Sequence, residues 1–193
     1  MEAKQLKTVE DLTACPDEQV ELIDGEIVRR PMARFEHGLA QSALSEEVRL
    51  LRRRSGPGGW WIVTEVSVVY SEHQCPTHDL AAWRKEHIAG RPSGVMTIRP
   101  DWVCEILSPG HEKKDLFHHF MLLQRAEVPW YWVLSPEDNT LIAYGLDEGS
   151  YRVIKSFECH EADHCSKVRI PPFEELEIDL AYIFGDEPHA TGA

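Results

Sequence analysis

Two apolar runs constrain this chain more than any other feature. Trp102-Val103-Cys104-Glu105-Ile106-Leu107 is followed by a polar helical stretch and then by Trp130-Tyr131-Trp132-Val133-Leu134. Runs this short and this apolar suit strands buried on both faces. Ser108-Pro109-Gly110 ends the first, Lys114–Ala126 reads as a helix, and Pro129 precedes the second. Strand, helix and strand in that order predict a parallel βαβ crossover, which must lie inside a sheet covered by helices.

The remaining segments build around that unit. Thr8 opens a short helical stretch that Pro16 closes, and Val20–Val28 folds about Asp24-Gly25 as an N-terminal β-hairpin. Phe35–Arg54 reads as one helix, with Leu39, Leu44, Val48 and Leu51 at helical spacing and a Gly-Pro-Gly-Gly stop at residues 56–59. Trp60–Tyr70 and Asp79–Trp83 are strands, and Arg84–Ile98 is a long loop containing at most a helical turn. Leu141–Leu146 and Ser150–Phe157 form a hairpin, and Pro171–Phe184 a short strand and a helical turn. The fold class is α/β (α+β), a mixed sheet flanked by helices. The 193 residues, 42% of them apolar, support one domain with its core at about residues 8–184.

No run is long and apolar enough for a membrane span, and the first residues lack the apolar centre of a signal peptide, so a cytoplasmic location is expected. Five scattered cysteines do not form a disulfide framework. The net charge of −13 argues against a broad nucleic-acid footprint, although Arg29, Arg30 and Arg34, and Arg49 with Arg52–Arg54, are local basic clusters. There is no phosphate-cradling glycine loop and no serine nucleophile elbow.

Glu105 is the anomaly in the first run. A carboxylate inside an apolar strand costs several kcal/mol, roughly, unless a cation or hydrogen-bond donors meet it. Asp101 shares its strand face but lies about 13 Å away at the usual rise, too far to clasp one ion with it. Asp79, from a separate strand, can lie beside Glu105, and Glu65 on the preceding strand can add a third oxygen. Three oxygens from neighbouring strands suit a hard cation such as Mg²⁺ or Mn²⁺. The blander readings are a solvated residue for Glu65, a strand-start cap for Asp79 and a buried Arg or Lys partner for Glu105. The segment Cys159–Cys165 gathers Cys and His without the spacing of a zinc finger, and reads as a metal site or, more simply, a polar loop. His73, Cys75 and His78 read as a loop before the Asp79 strand, and the tryptophans mostly as core.

The succession ELIDGEIVRRP, His37 at a helix start, HDLAAW, RPDWVCEILSP, Asp115 and VPWYWVLSP resembles the Uma-type family of restriction endonucleases, of the PD-(D/E)XK superfamily. The resemblance spans roughly Thr8 to Phe184. It implies a restriction-endonuclease-like fold and a DNA endonuclease that depends on Mg²⁺ or Mn²⁺. By the same resemblance Asp79 and Glu105 hold the metal, Glu65 is the acid of the preceding strand, and His37 lies near the site. A homodimer would let two sites address two strands.

The chain departs from the pattern in three places. His78 stands where the PD half-motif has proline, and Leu107 where the superfamily has lysine. The family instead carries a lysine one helical turn after an aspartate; Asp115 matches the aspartate, and His119 occupies the lysine position on the same helix face. His119, Lys113 and Lys114 are therefore the candidates for the missing positive charge. The alternative reading is a weakened or inactive nuclease-fold module that binds nucleic acid or a protein partner.

Overall fold

The computed structural model describes residues 5–17, 19–32, 34–108, 112–159 and 167–187, side chains excepted at 112–116. The elements run α1 (Val9–Thr13), β1 (Val20–Ile23), β2 (Glu26–Arg29), α2 (Phe35–Glu47), α3 (Arg49–Arg53), β3 (Trp60–Ser67), β4 (Thr77–Arg84), β5 (Trp102–Ile106), α4 (Glu112–Arg125), β6 (Trp130–Ser135), β7 (Thr140–Asp147), β8 (Ser150–Glu158), β9 (Lys167–Val168), β10 (Ile178–Asp179) and α5 (Leu180–Ile183). A 3₁₀ turn at Lys85–His87 is the helical turn of the long loop.

Six strands form one mixed sheet in the order β3-β4-β5-β6-β7-β8. β5 and β6 pair in parallel, from Trp102 opposite Trp130 to Ile106 opposite Leu134, and the other neighbours are antiparallel. The expected βαβ unit is therefore the centre of the sheet, with α4 as its crossover. Trp130 lies over Gly145, its partner on β7, where a Cβ would stand 3.0 Å from the indole.

Strand alternation sorts β5 onto two faces. Trp102, Cys104 and Ile106 join Ala40, Leu44 and Leu51 of α2 and α3 and Leu180 of α5 in one core. Val103 faces the other way, with Tyr131, Val133 and Leu123 of α4. The first core centres on aromatic edges: Trp102 stands 5.2 Å from Trp132 and 4.9 Å from Phe173. Trp132 also donates its indole N–H to the carbonyl of Pro171 at 2.8 Å.

Several boundaries differ from the sequence expectation. The helix expected over Phe35–Arg54 is two, because Val48 leaves helical geometry between α2 and α3 and is itself fully buried. α1 ends at Thr13, three residues before Pro16, and its start is a capping box between Thr8 and Asp11. β3 stops at Ser67, and Val68–Tyr70 continue as loop that bonds to Met96, Pro76 and Gln74. β4 begins at Thr77, so His78 sits inside the strand rather than in a loop before it. Cys15, Cys75 and Cys104 are free thiols. Cys159 is joined in a disulfide whose other half lies outside the described residues, as do His160–Cys165.

Candidate functional site

Glu105 points by alternation toward α4, whose His119 lies on that side. Asp79 does not follow the alternation of its own strand. Leu80 and Ala82 face the α2 core, and Ala81 and Trp83 the α4 core, so a regular strand would send Asp79 toward α4 and His78 toward α2. The opposite occurs: Asp79 reaches His37 of α2, and His78 reaches Glu105 and His119. The reversal has a counterpart on β3. Trp60 and Ile62 face the α2 core, but Val66, at the same parity, packs in the α4 core. Between them stands Glu65 with φ +50°, in the left-handed region that a glutamate adopts only at a cost. Thr64 pairs Leu80 and Val66 pairs His78, which sets Glu65 opposite Asp79 at the point where both strands turn over.

Two groups of donors result. In the first, His37, Glu65 and Asp79 bring their ligand atoms within 4.8 Å of one another. His37 Nε2 lies 3.2 Å from Asp79 Oδ1, and the Ser108 hydroxyl lies 3.2 Å from His37 Nδ1. The Ile106 N–H donates to Asp79 Oδ2 at 2.7 Å. β4 and β5 have parted by this point, and the carboxylate takes the N–H that a ladder bond would have used. Glu65 is oriented by Arg30 at 2.6 Å and by the Gln41 amide at 2.8 Å; the same amide donates to the Asp79 carbonyl at 2.9 Å.

In the second group, His78, Glu105 and His119 converge just as closely. His78 Nδ1 lies 2.5 Å and His119 Nδ1 3.3 Å from the same oxygen, Glu105 Oε1. His78 is fully buried, and its Nε2 meets the Tyr70 hydroxyl at 2.9 Å. The Tyr131 hydroxyl is also buried on this face and has no hydrogen-bond partner among the described residues.

Burial is the largest influence on Glu105 and would raise its pKa. The charges and hydrogen bonds of His119 and His78 together outweigh burial and hold the carboxylate well below its usual range. For His119 burial again opposes the charged form, but Glu105 raises the imidazole to about 9. His37 is raised by its hydrogen bond to Asp79. Asp79 is pushed up by burial, and by the charge of Glu105, against the pull of His37. Each buried carboxylate lies in its own group of three donors that could hold a cation. His119 thus carries a positive charge at neutral pH, although its position lacks the lysine of the family pattern. Leu107, at the other lysine position, packs against the α4 core.

A cleft of about 230 Å³ opens beside the first group, lined by Arg34, Glu36, His37, Leu107, Ser108, Pro136 and Glu137. The side chains of Lys113, Lys114 and Asp115 lie outside the described residues. Asp101 takes no part: it accepts the Arg84 N–H at 2.7 Å and pairs with His87 at 2.9 Å. Sequence reasoning missed Tyr70, Gln41, Ser108 and the role of His78. Of these, only His78 carried a signal, as an imidazole adjoining an acid in an otherwise apolar run.

The whole fold has a counterpart among solved structures. A chain described as a "putative nuclease belonging to DUF820" from Anabaena variabilis superposes with a TM-score of 0.69 at 20% identity, covering 92% of this chain and 97% of that one. No curated protein matches. Among the described residues no helix is long and apolar enough to cross a membrane. A family model described as "Putative restriction endonuclease" matches residues 6–180, nearly the whole of the fold and both donor groups. The chain belongs to that family, Uma2.

Proposed function

We propose that the protein is a metal-dependent DNA endonuclease that hydrolyses phosphodiester bonds. The observation that carries this reading is the presence of two buried carboxylates on adjoining strands, each inside its own group of three candidate metal donors: Asp79 with His37 and Glu65, and Glu105 with His78 and His119. In this reading Asp79 and Glu105 hold Mg²⁺ or Mn²⁺, and Glu65, presented by Arg30 and Gln41, assists. Such an ion, when bound, supplies Lewis acidity toward the phosphate and the attacking water.

The chain's own groups do the rest. His37 is buried against Asp79 and borders the cleft, where it orients the carboxylate and presents an imidazole edge to a substrate. Arg34 lines the same cleft and meets the phosphate backbone. His119, Lys113 and Lys114 on α4 are the cations assigned to the developing charge and to the attacking water. A dimer sets two such sites against two strands.

The test is nicking of supercoiled plasmid by purified protein with Mg²⁺ or Mn²⁺, compared with the same protein in chelator. Cleavage that requires the ion and disappears in Glu105→Ala is the expected result. Absence of nicking with either ion, or full activity of the variant, overturns the assignment.

A further inference from the structure

We propose that His78, Glu105 and His119 form a binding site for a nitrogen-accepting divalent transition ion of the Zn²⁺ or Co²⁺ class, in preference to Mg²⁺. The inference rests on the reading of Glu105 as a metal ligand and departs from it in the ion, replacing the Mg²⁺ or Mn²⁺ named there. Oxygen sets with water suit Mg²⁺, whereas imidazole favours zinc and the later transition metals. Glu105 does not come to the site with oxygens alone. It brings two imidazole nitrogens directed at one carboxylate oxygen, from two different elements, β4 and α4.

The spacing suits a small ion. With bonds of about 2.0–2.1 Å in tetrahedral geometry, neighbouring donor atoms stand roughly 3.3 Å apart. His119 Nδ1 and Glu105 Oε1 are already 3.3 Å apart. The His78 contact of 2.5 Å opens by less than an ångström as the ion takes the place of the hydrogen bond. Support behind the ligands is present as well. Tyr70 holds the far nitrogen of His78 at 2.9 Å, the arrangement that fixes ring orientation at metal sites. The orphaned Tyr131 hydroxyl lies on the same face, near enough for Glu105 to act on it, and offers a partner to a water that completes the coordination. These histidines are also two of the three positions, His78 for proline and His119 for lysine, at which the chain departs from the pattern that the resemblance implies. Both departures converge on one oxygen. Metal binding takes His119 out of the set of free cations.

The experiment titrates chelator-treated full-length protein with Co²⁺ and follows the visible d–d absorption. The expected result is saturation at one ion per chain, displacement by Zn²⁺, and no displacement by a large excess of Mg²⁺. His119→Gln and His78→Gln are expected to weaken Co²⁺ binding by at least about ten-fold, and His87→Gln, at a distant pair, to leave it unchanged. Ring nitrogen NMR of the wild-type protein gives the same answer without a variant, since Zn²⁺ should shift two of the ten histidines, those of His78 and His119. Equal competition by Mg²⁺, a Co²⁺ spectrum indifferent to His119→Gln, or unmoved His78 and His119 signals overturns the site. Co²⁺ binding without plasmid nicking would remove the nuclease reading and leave this one standing.

Discussion

Replacing His119 by glutamine tests the electrostatics at the centre of the molecule. Glutamine keeps a hydrogen-bond donor for Glu105 and removes the charge. In the metal-free protein the His119 imidazole rises from an ordinary 6.5 to about 9 because Glu105 faces it. At about 1.4 kcal/mol per pH unit, that difference amounts to about 3 kcal/mol of folding free energy. Both side chains are nearly excluded from water, at 14% and 10% exposure, so solvent screening removes little of it. The sign follows from the direction of the shift. A base that binds its proton more tightly when folded stabilises the fold fully below its unfolded pKa of 6.5, and loses that contribution as pH rises through about 9. Glu105 shifts the opposite way, so its part is present above 4.5 and fades as pH falls below it.

Urea denaturation in chelator, repeated across this range, reads the effect directly. Near pH 6 the variant should be less stable than wild type by about 3 kcal/mol, and by about pH 9.5 the two should nearly coincide. Subtracting one curve from the other removes other titrating groups, His37 included, since they are common to both. His119→Lys, the residue type that the resemblance implies at this position, should carry the loss to higher pH. A gap that stays constant between about pH 6 and pH 9.5 would refute the account, because His119 would then act by packing and not by charge.

Two further outcomes follow from the geometry. Glu65→Gly removes the strain at φ +50° but also the contacts with Arg30 and Gln41, so it should be more stable than Glu65→Val, which loses the same contacts and bears an added strain of about 1–3 kcal/mol; thermal or urea unfolding reads the difference. Asp101→Ala removes the acceptor of the Arg84 N–H and the partner of His87; a loss of about 1–2 kcal/mol is expected, with plasmid nicking and Co²⁺ binding untouched.

The central sheet was legible because its signals are local and redundant. A wholly apolar strand, a helix and a second apolar strand admit few arrangements, and β5, α4 and β6 adopt the one expected. The helix break at Val48 was not legible: its side chain continues the apolar spacing and stays buried on either side of the break. Glu105 stands out by chemistry that a sequence displays, charge inside an apolar strand, and the family resemblance pairs Asp79 with it. The partners of the two acids were not legible, because partnership depends on which face each residue takes.

Strand parity shows where that limit falls. Counting by twos from Glu105 correctly separates Trp102, Cys104 and Ile106 from Val103 and Glu105, since β5 is regular throughout. The same count fails at His78 and Asp79, because one residue on the neighbouring strand, Glu65, takes a left-handed φ and turns both strands over. A glutamate gives no hint of that conformation; a glycine there would have. The strained residue is itself held by Arg30 and Gln41, so the backbone reversal is maintained by side chains from β2's end and from α2. Its consequence is the separation of the site into two halves. Asp79 is delivered to His37 and the cleft, and His78 to Glu105 and His119, on the side of α4. Without the reversal His78 would face α2, and Glu105 would keep only His119 to offset its burial. The unusual backbone at Glu65 is thus what allows the buried charge on β5 to be met from two sides.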